Sequence, residues 1–85
     1  MVKVLVIGDS CIDEYIYCKT SRFCPDAPVP ILNPESYVCT EGMAGNVADN
    51  LKALGCEVDL ISNSNQIKKT RYVDERTNHM FIRID

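Results

Sequence analysis

The chain has no tryptophan, a single histidine (His79) and fewer basic than acidic residues, 9 against 12, for a formal charge of -3. A binder of nucleic acid carries a basic excess as its electrostatic footprint, so nucleic acid is excluded as the expected partner. Long apolar runs are also missing. The longest, Val4 to Ile7, falls far short of the roughly 20 residues that cross a bilayer, and no signal-peptide pattern precedes it. The expectation is a cytoplasmic protein with no membrane partner. Cysteine is plentiful, at Cys11, Cys18, Cys24, Cys39 and Cys56, but the count is odd and no C-x-x-C pair occurs. A disulfide scaffold needs an even set, and a zinc site needs tighter spacing with more histidine. Reduced, mostly buried thiols are expected, and no metal site.

What is present is a globular composition, 46% hydrophobic and 25% charged. Eighty-five residues make one domain at most, and a domain of that size leaves much apolar surface uncovered, so assembly with another chain is expected. Val2 to Ile7 predicts a strand buried on both faces, ended by Gly8 and Asp9. From Glu14 to Thr40, short β-favouring pieces (Tyr15 to Tyr17, Val29 to Leu32, Tyr37 to Cys39) stand between turns at Pro25, Pro28 and Pro34. Glu41 to Gly55 has helical spacing, with Ala44, Val47, Ala48, Leu51 and Leu54 on one stripe and Gly55 as the stop. Glu57 to Ser62 predicts a second buried strand, parallel to the first through a right-handed crossover. SNSNQ, residues 62–66, is a polar turn. Thr70 to Asp74 and His79 to Ile84 predict a hairpin with its loop near Glu75 to Asn78.

The run VLVIGDSCID poses a chemical choice. Ser10, after Gly-Asp, has the setting of a GDS-type hydrolase nucleophile, but such a serine needs a base and oxyanion donors. His79 sits in the hairpin and no Asp-x-x-His follows it, so Ser10 is read as a turn residue. Asp13 lies where ligands of open α/β sheets gather, and a carboxylate accepts hydrogen bonds from vicinal hydroxyls. It reads equally as a sugar clamp and as a solvated loop carboxylate or helix cap. Gly42 to Asn46 adds small residues, helix N-terminal N–H groups and an amide, although Asn46 also suits an N-cap. GMAG is neither a dinucleotide fingerprint nor a Walker loop. Lys68, Lys69 and Arg71 could meet a phosphate, but a solvated strand edge is the favoured reading.

Four ordered segments, VLVIGDSCIDEYIY, TSRFCPDAPVPIL, GMAGNVADNLKALG and KKTRYVDERTNHMFIRID, together resemble the ribokinase (phosphofructokinase-B type) family of sugar kinases. Within it they are similar to the heptose-7-phosphate kinase domain of bifunctional ADP-heptose synthase. The likeness runs ungapped from Val4 to about Ile61 and resumes near Lys68. It implies an α/β, truncated ribokinase-like fold in one domain: a β-α-β base from residues 1–13 and 41–62, and a small β-sheet lid from residues 14–40 and 68–85. It implies that Asp13, Gly42 and Asn46 grip a sugar or sugar phosphate, with Arg71 and Asn78 as lid contacts. It also implies that the lid pairs with the lid of a second subunit.

Two departures stand out. Met43 replaces the second of two adjacent glycines, which narrows or remodels the sugar site. SNSNQIK replaces a further helix and strand, and the family's nucleotide site, anion-hole turn and catalytic aspartate have no counterpart before Asp85. Phosphoryl transfer depends on those parts. No catalytic residue is therefore assigned, and ATP and Mg2+ are expected only if a partner completes the site. The chain is then either a non-catalytic lid and half-site that forms a homodimer or docks on a kinase, or one part of a split sugar kinase.

Overall fold

A computed structural model describes residues 1–85 as six strands and one helix: β1 (Lys3–Ile7), β2 (Ser10–Lys19), β3 (Asn33–Met43), α1 (Ala44–Ala53), β4 (Glu57–Ile61), β5 (Lys68–Asp74) and β6 (Met80–Ile84). The class is α/β, as expected. β1 and β4 form a parallel pair with Val4 opposite Val58 and Val6 opposite Leu60. The other strands make a four-stranded sheet in the order β3-β2-β5-β6. In it β2 runs antiparallel to β3 and parallel to β5, and β5 and β6 form the hairpin.

The strands of the larger sheet are longer than their apolar cores suggested. Tyr15 to Tyr17 and Tyr37 to Cys39 are only the centres of β2 and β3. Backbone pairing on both sides of β2 carries Asp13 and Glu14 into regular strand despite their low β-propensity. The sheet takes in residues 10–13 and 41–43, which the sequence assigned to the base. Ser10 opens β2 and is not a turn residue. Val29 to Leu32 forms no strand and contributes one isolated bridge, Phe23 with Pro30. Pro34, expected in a turn, lies within β3 opposite Cys18. It is tolerated because β3 is an edge strand, where a missing N–H breaks no ladder. β5, by contrast, is an interior strand, so Arg71, paired on both sides, is not on a strand edge, whereas Lys68 and Lys69 lie beyond β6 and are paired with β2 alone.

The helix starts at Ala44, not Glu41, because Gly42 and Met43 finish β3. Its C-terminus is as the sequence indicates. Gly55 has φ 89°, its N–H donates to Lys52 at 3.0 Å and the Cys56 N–H to Leu51 at 3.1 Å, the paired bonds of a Schellman stop. The buried stripe is narrower than predicted. Gly45 and Ala48 are buried, whereas Val47 and Leu54 are exposed. A helix resting on only two strands and the end of β3 has too little opposing surface to cover its whole apolar face.

The same shortage corrects the reading of β1. Val4 and Val6 are half-buried, but Leu5 and Ile7, on the other face, are 57% and 71% exposed. Burial overall is sparse, with seven residues buried and the only fully buried side chain Cys18. The radius of gyration is 17.4 Å, against about 12 Å for a compact domain of this length. All five cysteines are free, and only Cys11 and Cys18 are buried, so the thiols are not mostly buried. No helix is long and apolar enough to cross a membrane.

Candidate functional site

Strand register assembles the site. Alternation puts Cys11, Asp13 and Tyr15 on one face of β2. Asp13 stands opposite Lys69 and Tyr15 opposite Arg71, while Arg71 stands opposite Arg83 across to β6. Register partners share a face, so one side of the sheet carries a strip of Asp13, Lys69, Arg71 and Arg83. Arg71 Nη1 donates to Asp13 Oδ1 at 2.9 Å, with both side chains about one-fifth exposed. Its guanidinium carbon lies 5.1 Å from the centroid of the Tyr15 ring. This is a cation held between a carboxylate and an aromatic face, an arrangement that arginine's planar head suits. At the sheet margin Arg83 makes two hydrogen bonds to Asp85, at 2.7 and 2.9 Å. Each partner holds the other charged: the Asp85 carboxyl lies below its ordinary value and Arg83 above.

Gly42 completes the strip. It pairs with Cys11 and is buried. A Cβ there would collide with Asp13 Oδ2 and approach Cys11 Sγ to 2.6 Å. The glycine is thus required by close approach, because Asp13 Oδ2 and Cys11 Sγ fill the space a side chain would take. Oδ1 is tied to Arg71, and the second carboxylate oxygen packs against the Gly42 backbone. One fixed acceptor beside an arginine and a lysine can take hydroxyls and an anionic group of one ligand.

The remaining sequence-derived residues lie elsewhere. Asn46 is an exposed residue in the first turn of α1; it makes no hydrogen bond with Asp13 and is not the N-cap, which is Met43. Asn78 adopts φ 60° in the hairpin turn, its N–H donating to Asp74 at 2.9 Å. Asp74 lies five residue steps along β5 from Lys69, roughly 16 Å of strand. Ser10 has no basic partner. Its N–H donates to Asn63 Oδ1 at 2.8 Å, and Ser62 Oγ donates to its hydroxyl at 2.8 Å. The SNSNQ turn therefore anchors the start of β2 to the base.

The sequence reading missed Tyr15 and Arg83. The spacing Cys11, Asp13, Tyr15 shows which residues share a face of β2, but only the parallel pairing with β5 brings Arg71 to them. On the opposite face Glu14 meets Lys68 at 3.1 Å and Thr70 at 3.4 Å, and these contacts, the Lys68 bond above all, hold its carboxyl below the usual value. The Cys39 thiol is pushed up, first by desolvation and then by Glu14. No three His, Cys, Asp or Glu side chains gather as a metal cage. The acidic groups nearest the site are engaged, Asp13 by Arg71, Glu14 by Lys68 and Asp85 by Arg83, so these residues do not fit a Mg2+ site and no step is derived through nucleotide or metal.

No protein-family model matches the chain. The N-terminal part of the chain is similar to bifunctional HldE proteins: 51% identical over 61 residues to that of Methylococcus capsulatus and 47% over 62 residues to that of Campylobacter fetus. These matches cover 72% and 73% of this chain but 13% and 14% of the relatives. The chain thus matches about one-seventh of their length. Among solved structures, a carbohydrate kinase from Agrobacterium tumefaciens superposes with a TM-score of 0.56 at 15% identity, over 99% of this chain and 35% of the other.

Proposed function

Because the chain is a homologue of a segment of the HldE proteins, within the sugar kinases of ribokinase type, we propose that it is a sugar-kinase-like segment. On this reading it carries part of a sugar-binding site and a lid sheet that joins two copies. One observation supports it best: Asp13, held by Arg71, packs against a backbone position where only glycine leaves room for its carboxylate. On this reading Asp13 binds sugar hydroxyls, Gly42 gives its carboxylate room against the backbone, and Asn46 stands in the first turn of α1, directly after β3, as the remaining candidate contact. Arg71 orients the carboxylate, and Asn78 lies on the lid's outer turn. The far face of the sheet, with Ile12, Ile16, Tyr37, Ile82 and Ile84, offers a second copy an apolar surface. Tyr37, Ile82 and Ile84 are each at least half exposed.

The reading assigns no phosphoryl transfer to these residues alone. An ATP-coupled assay with heptose and hexose phosphates should show no turnover by the purified chain, and turnover would end this part of the proposal. Isothermal titration should show sugar phosphate binding that Asp13→Asn abolishes; unchanged affinity removes Asp13 from the site. Light scattering should give twice the chain mass, and one chain mass at high concentration would count against the dimer.

A second reading, one part of a split sugar kinase, draws on the base. A two-stranded parallel sheet with both edges open, and with Leu5, Ile7 and Ile61 uncovered, is incomplete by the standard of parallel sheets, which are covered on both faces. ATP turnover that appears only when a complementary polypeptide is co-expressed would favour it.

A further inference from the structure

The end of the sheet away from Asp13 holds the largest cavity in the molecule, about 430 Å³, a size ordinary for small-molecule sites. Two elements wall it. One is the segment after β2, where the Cys24 N–H donates to Val29 at 2.7 Å, the Ile31 N–H donates to Arg22 at 3.0 Å and Phe23 bridges Pro30. Those bonds close the segment into a finger, from which Thr20, Ser21, Arg22 and Phe23 line the cavity. The other element is the β5–β6 hairpin, which contributes Asp74 and Phe81. Phe81 is the extra residue of a bulge, because Val73 pairs with Met80 and Tyr72 with Ile82. A bulge re-aims a side chain, and this one brings Phe81 into the same wall as Asp74.

The charged groups of that wall have capacity left. Arg22 makes no ion pair within the chain. Asp74 is 8% exposed and accepts one bond at each oxygen, from the Arg76 N–H at 3.0 Å and the Thr77 hydroxyl at 3.2 Å, whereas an ionised carboxylate has room for about four. Phe23 is 73% exposed, so most of its ring is left for a ligand to cover. We propose that the cavity is a binding site for a free aromatic α-amino acid. Its ring packs against Phe23 and Phe81, its carboxylate accepts from Arg22 and its ammonium donates to Asp74. One cation, one anion and two phenyl rings match a zwitterion that carries a ring. A simple anion would face Asp74 as a like charge, and a simple amine would face Arg22. The site stands apart from the sugar-site reading, at the other end of the sheet.

Isothermal titration of the full chain with L-phenylalanine, 3-phenylpropionate and 2-phenylethylamine tests each group in turn. The amino acid should bind at least about tenfold more tightly than either analogue, since each analogue lacks one charge-assisted bond. Arg22→Gln should weaken L-phenylalanine by about tenfold and leave 2-phenylethylamine no weaker. Phe23→Ala should weaken all three by about fivefold. Arg22 and Phe23 are exposed, so neither change threatens the fold. Asp74 also holds the hairpin turn, and its role is therefore read from the pair of L-phenylalanine and 3-phenylpropionate instead of from a substitution. D-mannose 6-phosphate should not displace L-phenylalanine, a result that holds whether or not the sugar-site reading does. No saturable binding of L-phenylalanine, equal affinity for it and either analogue, full affinity in Arg22→Gln, or displacement by the sugar phosphate overturns the proposal.

Discussion

The four-stranded sheet and the two-stranded base face the same problem, too few residues to bury their apolar surface, and meet it differently. The sheet places β2 and β5 between paired neighbours and closes around Cys11, Cys18 and Val73, all at most 5% exposed. The base has no interior strand. Its helix covers one face with Gly45 and Ala48, and the other face lies open. The difference teaches that pairing on both edges, more than apolar content, protects a strand here: β1 (KVLVI) is the more hydrophobic and the more exposed, whereas β2 (SCIDEYIYCK) carries two carboxylates and the buried residues.

Amide exchange should show this contrast most strongly, with β2 and β5 protected on the order of a thousandfold more than β1 and β4. Equal protection would mean that something covers the base in solution. Gly42→Ala should be the most damaging single substitution in the sheet, costing about 2–3 kcal/mol in urea denaturation, because its methyl group would enter the Asp13 carboxylate. Val73→Ala should cost about 2 kcal/mol and Leu5→Ala under about 0.5 kcal/mol, although both remove apolar atoms from strands. Similar costs would abolish the distinction between the regions. Met43→Gly, at the junction of sheet and base, should stabilise by about 1 kcal/mol through release of backbone strain at φ 56°.

The smallest effect is with pH. The Glu14 carboxyl is held below its ordinary 4.5, so its pairing contributes stability that is present above pH 4.5 and lost as pH falls through the lower, folded value. Glu14→Gln should flatten the denaturation midpoint over that acid range. An equally steep dependence in the variant would assign it to other carboxylates.

Much of the architecture was legible along the chain. The parallel β1–β4 pair, the hairpin turn near Glu75 to Asn78 and the Gly55 stop follow from local signals: short apolar runs, turn residues and a glycine at positive φ. The reach of β2 and β3 was not, because Asp13, Glu14 and Pro34 are strand residues only by virtue of their neighbours. In the site, Asp13 and Gly42 could be named from the sequence, yet their adjacency comes from the antiparallel register that sets Cys11 against Gly42. Asn46 shows the converse. Its helical position was readable, but its exposure depends on how narrowly α1 meets the strands.

The sequence by itself determined the class, the strand and helix cores and the residue types at the site, since periodicity, propensity and glycine placement act within a few residues. Only the tertiary structure decided that Arg71 pairs with Asp13 above Tyr15, that Met43 turns toward Lys69, whose Nζ donates to its sulfur at 3.6 Å, and that the base remains half uncovered. Those outcomes depend on which strands lie side by side and in what register, and a one-residue slip would move each of those side chains to the other face.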